Sequence, residues 1–403
     1  MQQKVVADDN TALPLAGVRI LDLTRLLPGP LATLHLADLG ADVIKIEDPE
    51  NGDYARWLGP LKKTQSGFFL AINRNKRSLA LNLKTPGGRE ALLRLVETAD
   101  AVIEGFRPGV MDKLALDYQS LSTRNPSIVL CSISGYGQDG PWQHRAGHDI
   151  NYCATSGVLE QTGRRHEPPA LGNFQVADIA GGALSATTGM LAALLSVARG
   201  GPGRHVDISM TDCALAGNVM AQMELDARGG TRERGDDFLT GRLPNYNVYG
   251  TADSRYLAVG ALEPVFWRRL CTALDDPQLL ETDLEDEEQC EAARERLSGL
   301  FSSAPLAHWE RLLDGVDCCV CPVLTLAQAR DHPQLQSRGM FVTLEHPAEG
   351  PVAQFASPFR MSGFEFAQRL PAPSLGEHSR EILTELGFAS VKIDELCSSA
   401  HNS

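Results

Sequence analysis

Gly17-Val18-Arg19-Ile20-Leu21-Asp22-Leu23, followed by Thr24-Arg25-Leu26-Leu27-Pro28-Gly29-Pro30 and then by Ala41-Asp42-Val43-Ile44-Lys45-Ile46, decides the fold class. Two short apolar runs flank a segment that opens on proline. Proline suits the first turn of a helix, where its missing N–H would have had no partner anyway. Strand, helix, strand is the βαβ reading, and the pattern continues. Helical spacing covers Gly87–Thr98, Ala101–Ile103 reads as a strand, Asp117–Arg124 as a short helix and Ser127–Ile133 as a further strand. Beyond a long apolar helix, His205–Ser209 reads as another strand. Short apolar runs alternating with amphipathic stretches predict an α/β domain with a mainly parallel sheet. The polar stretch Asp48–Arg77, rich in Gly, Asn and Lys, reads as a connection.

Further on, the pattern changes. A helix over Thr211–Ala227 precedes the charged stretch GGTRERGDDFLTGRLPN, which reads as an exposed linker. Val248–Gly260 reads as a hairpin turning at Asp253-Ser254, with helices near 264–275, 287–300 and 306–314 and a strand at Cys318–Val323. That succession predicts a second, smaller α+β domain. The tail returns with Pro358–Gly363 and a helix near His378–Gly387.

The 403 residues carry a formal net charge of −14, which disfavours nucleic acid as a partner. Nine irregularly scattered cysteines do not form a disulfide framework and suggest a reducing, cytoplasmic setting. MQQKVVADDNTALP contains no apolar run of the kind a secretory leader requires. Ile179–Ala198 carries no charge and is long enough for a bilayer, but it is rich in Gly, Ala, Ser and Thr and has Asp178 at its start. It reads as a core helix of a soluble domain, with no membrane partner.

Several residues invite chemical readings. Leu23–Pro30 has one glycine where a dinucleotide pyrophosphate demands G-x-G-x-x-G, so NAD is not expected. Cys318-Cys319-Val320-Cys321 lacks the second ligand pair that zinc needs and sits in an apolar run that reads as a buried strand, so no metal is expected. His148 follows the glycine-rich loop Gly135-Tyr136-Gly137-Gln138-Asp139-Gly140 beyond a strand, where doubly wound sheets place their chemistry. Asp178 opens the apolar helix and Glu263 leaves a strand directly before Pro264. Either carboxylate would also serve as an ordinary helix-start group.

Taken together, Gly147-His148-Asp149-Ile150-Asn151-Tyr152, Ser156-Gly157-Val158-Leu159, ADIAGG (Ala177–Gly182) and AVGALEP (Ala258–Pro264) resemble the α-methylacyl-CoA racemases of the class III CoA-transferase (CaiB/BaiF) superfamily. The broader superfamily pattern recurs in LDLTRLLPGPLA, LADLGADVIKIE, NRNKRSLALNLK, FRPGVMDKL and SGYGQDGP, so that the likeness runs from Leu15 to Gly387. It implies a Rossmann-like large domain built from both chain ends, with residues 1–228 as its first part, 229–330 as the small α+β domain with its linker, and 331–403 as the return. It also implies an interlocked homodimer that acts on acyl-CoA thioesters, with coenzyme A present as part of the substrate and no other cofactor.

Residue by residue, the resemblance makes His148 and Asp178 the acid/base pair and Glu263, reaching across the dimer interface, the partner that orients His148. Leu81, Asn82, Leu83, Lys84, Phe106, Arg107, Lys113, Gly147, Asp149 and Tyr152 match stretches that line the coenzyme A channel. Inverting a carbon next to a thioester needs one group to remove a proton from one face and another to return one to the opposite face. The enolate oxygen needs preorganised donors, for which the amides starting the helix after Asp178 are candidates. The main rival is a family III CoA-transferase, with Asp178 as nucleophile. One departure is plain: relatives commonly carry an arginine after the second strand, and Glu47-Asp48-Pro49 stands here instead. Lys62, Lys63, Arg74 and Arg77 are the candidate replacements.

Overall fold

The computed structural model describes residues 13–398. They fall into two compact units. The first takes the chain up to Ser156, then Asn173–Gly217, then everything from Gln336; the second takes Gly157–Gly172 and Asn218–Leu335.

The first unit is built on six strands: β1 (Arg19–Asp22), β2 (Asp42–Glu47), β3 (Lys76–Ala80), β4 (Ala101–Glu104), β5 (Val129–Ser134) and β6 (Arg204–Ser209). They form one sheet in the order β3-β2-β1-β4-β5-β6. Every neighbouring pair is parallel. This is a doubly wound sheet whose strand order reverses between β1 and β4, and crevices for ligands open beyond the carboxyl ends at such a reversal.

The sequence read Lys76-Arg77 as the end of a loop, and here the structure differs. Lys76, Arg77 and Ser78 belong to β3, because each finds a partner inside the fold. Lys76 is fully buried against Asp22, with Nζ 3.2 Å from Oδ2. Arg77 forks onto Asp42 and also reaches Glu381 and Glu385. The Ser78 hydroxyl donates to Glu47 at 2.7 Å.

One face of the sheet packs Leu21, Ile44, Leu79, Val102 and Leu130 against Leu92, Leu121, Ile382 and Leu396 from the flanking helices. On the other face lie the helix Pro28–Asp38 and the long apolar helix, whose first turns, Ala177–Leu184, are π-helical before it continues as Ser185–Ala198. Close approach there depends on glycine. A Cβ on Gly182 would stand 2.7 Å from Pro28 Cβ, and one on Gly189 would stand 2.9 Å from Val206 Cγ1. The expectation of a helix buried all round needs correction. Only 39 % of its apolar window is covered within the chain, leaving Leu184 and Leu195 exposed. By length and composition it could also cross a membrane.

A hairpin that the sequence did not signal, β7 (Phe341–His346) with β8 (Gly350–Phe355), completes this unit with the helices Ser379–Glu385 and Ser390–Ser398.

In the second unit, Tyr246–Gly250, Tyr256–Gly260 and Val320–Pro322 form a three-stranded antiparallel sheet. Trp267, Leu270, Leu297, Phe301 and Trp309 build its core. Gly157–Gly172 joins this unit rather than the first, because Arg234 holds it from two sides. Its guanidinium donates to the carbonyls of Glu160 (2.8 Å) and Glu167 (2.7 Å). The helix expected over Thr211–Ala227 is broken at Asn218 into Met210–Gly217 and Val219–Arg228, and the boundary between units falls there rather than at 229. The Cys318–Cys321 run is not uniformly buried: Cys318 is covered while Cys319 and Cys321, at an edge strand, are exposed.

Candidate functional site

Beyond the carboxyl ends of β1, β2 and β3 and under the loop after β4 lies a cavity of about 190 Å³. Leu81, Asn82, Leu83, Lys84 and Phe106, read from the sequence as ligand-lining, form its wall together with Thr24, Arg25, Glu47, Asp48 and Asp53. Its floor is ionic and buried. Lys45 pairs with Asp53 at 3.0 Å and Arg56 with Glu47 at 2.7 Å. Asp22 accepts from the Thr24 amide and from the Thr24 and Thr33 hydroxyls. Burial alone would raise the Asp22 carboxyl, but Lys76, Lys45 and those hydroxyls outweigh it and bring it down to about 2. Leu26, held in the left-handed region at φ 61°, donates its N–H to Asp53 at 3.1 Å, so the same web fixes the loop that leads to the helix.

The acidic stretch after β2 has structural work. Asp48 accepts the amides of Glu50 and Asn51 and closes a turn. Three of the four expected replacement cations are committed elsewhere: Arg74 is buried on Asp38 (2.6 Å), Arg77 is forked on Asp42, and Lys63 Nζ donates to the Ala348 carbonyl (2.9 Å). Arg25 and Lys84 are the basic residues that line the cavity itself.

The second centre of the unit joins His148, Asp149, Tyr152 and Asp178. His148 stands exposed at the N-cap of the helix Asp149–Thr155, with its amide on Asn151 Oδ1 at 3.0 Å. Asp149, in the first turn, accepts the Asp178 N–H at 3.0 Å, tying the start of this helix to the π-helical turn. π-Helical turns cost regular hydrogen bonding and recur at functional sites. Asp178 is pushed up to about 6, first by burial and then by the Asp149 charge, with His148 acting the other way. That opposing influence places the imidazole within electrostatic reach of the carboxyl. Tyr152 donates its hydroxyl to the Gly147 carbonyl at 2.6 Å. Burial, with Asp178 next, pushes its phenol up, while Arg107 pulls it down. A Cβ at Gly135 or Gly147 would lie 2.4 or 2.6 Å from the Tyr152 ring, so both positions must stay bare.

The structure thus brings His148, Asp178, Gly147, Asp149 and Tyr152 together, with Arg107 in electrostatic reach. Glu263 belongs to the second unit, exposed at the N-cap of the helix Pro264–Ala273. Lys113 closes the short helix Val110–Lys113 and is exposed, lining neither this centre nor the cavity. The expected oxyanion donors need correction: the Asp178 amide is taken by Asp149, and the Ile179 amide by the Gln175 carbonyl at 2.9 Å. One role and one residue escaped the sequence reading. Asp149, expected only to line the coenzyme A channel, acts on Asp178, and Glu104, at the end of β4, is a buried acid 3 % exposed. A charged residue closing an apolar strand just before a glycine was the available signal for the latter.

The sequence profile of CoA-transferase family III matches residues 15–379. Human alpha-methylacyl-CoA racemase is 34 % identical over 389 residues, covering 95 % of this chain and 96 % of that protein. Mouse succinyl-CoA:glutarate CoA-transferase is also 34 % identical, over 393 residues, covering 94 % of this chain and 88 % of its own length. Among solved structures, a CaiB/BaiF family protein from Brucella suis superposes with a TM-score of 0.80 at 31 % identity, covering 93 % of this chain and 99 % of that one. With the profile matched over most of the chain and its fold shared with a solved CaiB/BaiF protein, the chain belongs to CoA-transferase family III.

Proposed function

We propose that this chain is an isomerase that inverts the α-carbon of 2-methyl-branched acyl-CoA thioesters by two-base proton transfer. What supports the reading is an Asp178 carboxyl pushed up to about 6 by burial and Asp149, within electrostatic reach of His148. One of the two removes the α-proton and leaves an enolate. The other, on the opposite face, supplies a proton to the same carbon, and the reverse reaction exchanges their roles. A carboxyl tuned to about 6 is present in both protonation states near neutrality, as a group that must serve as acid and as base requires. Asp149 is then the residue that tunes it. The cavity lined by Arg25, Leu81–Lys84 and Phe106 would take the nucleotide of coenzyme A, and Arg107 its phosphates on the way to His148. The reaction needs no group beyond coenzyme A itself.

In this reading the enzyme is a cytoplasmic, interlocked homodimer in which Glu263 of one copy reaches His148 of the other. The apolar face left open along Ala177–Ala198, with Leu184 and Leu195 exposed, suits burial against a second copy. The nine cysteines, none of them in a disulfide, suit a reducing compartment.

A second reading is a CoA-transferase, favoured by the equal identity to a transferase relative. Asp178 would attack the thioester carbonyl and expel the CoA thiolate. The thiolate would then attack the resulting anhydride at the aspartyl carbonyl, giving aspartyl-CoA and a free carboxylate. One experiment separates the two. A single enantiomer of a 2-methylacyl-CoA is incubated in D₂O, with and without a free acid acceptor, and followed by NMR. Racemisation predicts α-deuteration without acceptor, lost by about 10²–10⁴-fold in His148→Ala. CoA appearing on the acceptor, with no α-deuteration in its absence, would overturn the proposal.

A further inference from the structure

Opposite the wall that Phe106 gives to the nucleotide cavity, the same loop borders a second cavity of about 490 Å³, lined by Glu104, Arg107, Tyr118, Ser132, His144 and His205 among others. The loop Gly105–Gly109 is therefore a partition with a cavity on each side. At its root the Phe106 N–H donates to Glu104 Oε2 at 2.6 Å. Glu104 and Ser132 are register partners on β4 and β5, and the Ser132 hydroxyl hydrogen-bonds the Glu104 carboxyl. Ser132 Oγ in turn lies 2.9 Å from His205 Nε2 on the edge strand β6. The His205 ring is stacked on Tyr118 with centroids 6.0 Å apart and reaches solvent. The Glu104 carboxyl thus borders the second cavity itself and is joined through one hydroxyl to an imidazole that lines the same cavity.

We propose that Glu104 is a positioning residue for coenzyme A, whose carboxylate, by accepting the Phe106 N–H, holds the Gly105–Gly109 loop in the shape that presents Phe106 and Arg107 to the nucleotide. This rests on the coenzyme A reading of the first cavity given above. The charged groups around Glu104 are Asp207 on β6 and Asp112 on the helix Val110–Lys113, with His205 on β6, His144 across the cavity, and Arg107 within the loop itself. Cys131 on β5 also lies within reach and is pushed up by burial and by Glu104. Burial pushes Glu104 up to about 7, with Asp207 and Asp112 adding to it and the Ser132 and Phe106 hydrogen bonds opposing it. The loop is therefore held by a charge-assisted bond above neutrality and by a weaker neutral one below it.

The test is the dissociation constant of coenzyme A, measured by titration calorimetry from pH 6 to 8.5 on the full-length protein, Glu104→Gln and Ser132→Ala. The ratio of wild type to Glu104→Gln cancels the ligand's own titration. That ratio should rise about fivefold between pH 8.5 and 6, the difference between a charge-assisted and a neutral hydrogen bond. Ser132→Ala keeps the carboxyl but loses a donor to its charged form, so its swing should be displaced to higher pH than that of the wild type. Parallel curves for wild type and Glu104→Gln overturn the proposal, as does an undisplaced Ser132→Ala curve. If none of the three proteins binds coenzyme A at any pH, the reading of the first cavity falls and takes this one with it.

Discussion

Replacing Asp178 by Asn should make the protein more stable above neutrality while abolishing its chemistry. A carboxyl that titrates near 6 in the fold but at the ordinary 3.8 when unfolded has its charged form disfavoured by about 3 kcal/mol, at 1.36 kcal/mol per pH unit. Asp178 is only partly buried, so solvent screening brings the usable figure to about 1–2 kcal/mol. The sign follows from proton counting. Between 3.8 and 6 the folded protein holds more protons than the unfolded chain, so stability falls as pH rises through that window, and the full cost is present above it. Asp178→Asn removes the cost. Its urea-unfolding free energy should exceed that of the wild type by about 1–2 kcal/mol at pH 8, by about half as much at pH 5, and by nothing below pH 4. A variant no more stable than wild type at pH 8, or an advantage that does not shrink as pH falls, would refute the claim that Asp178 is held in an unfavourable state for its chemistry.

Other perturbations test the frame around that site. Lys76→Ala takes the cation from beside the buried Asp22, leaving it to Thr24, Thr33 and the charge of Lys45, and should cost about 3 kcal/mol in chemical denaturation, the low end for removing one member of a buried pair. Gly182→Ala puts a methyl 2.7 Å from the rigid Pro28 ring carbon and 3.2 Å from Met210 Sδ. It should cost about 1–3 kcal/mol in the same measurement. Because the displaced turn carries Asp178, the pH at which Asp178 titrates by NMR should move as well. Asp149→Asn removes the charge that helps hold Asp178 up, and the same titration should then find Asp178 below 6, closer to the ordinary carboxylate range.

β1 and β2 were legible because Ile20, Leu21, Val43 and Ile44 are apolar strand formers bounded by turn residues, and the structure buries them all. β3 was not, because it opens on Lys76 and Arg77, one on each face of the sheet. Local hydrophobicity records only what each residue would prefer in isolation, whereas their burial depends on Asp22 and Asp42, acids supplied by other strands. The hairpin Phe341–Phe355 was missed for a related reason: its second strand alternates in burial, but polar Gln354 is covered while Phe355 is exposed, so hydrophobicity does not follow the alternation. At the site, the motif stretches singled out His148 and Asp178 as candidates, but the function of Asp149 as the acceptor of the Asp178 N–H is a relation between two helices and has no signature in either. The occupied amides of Asp178 and Ile179 were hidden for the same reason.

The return of the chain after Gln336 has a consequence for biosynthesis. β3 is finished by residues made last. The Ser78 carbonyl accepts from the His378 amide (3.0 Å) and its hydroxyl from the Gly376 amide (2.9 Å), Arg74 leans on Gln354, and the Asn75 amide donates to the Leu370 carbonyl. A ribosome that has reached Leu335 has synthesised every residue of the second unit, yet the first still lacks the partners of its outermost strand. The inserted unit can therefore mature first, although its host began earlier, and until Gln354 and Leu370 are made Arg74 and Asn75 each wait with an unmet hydrogen bond at the edge of the nascent sheet.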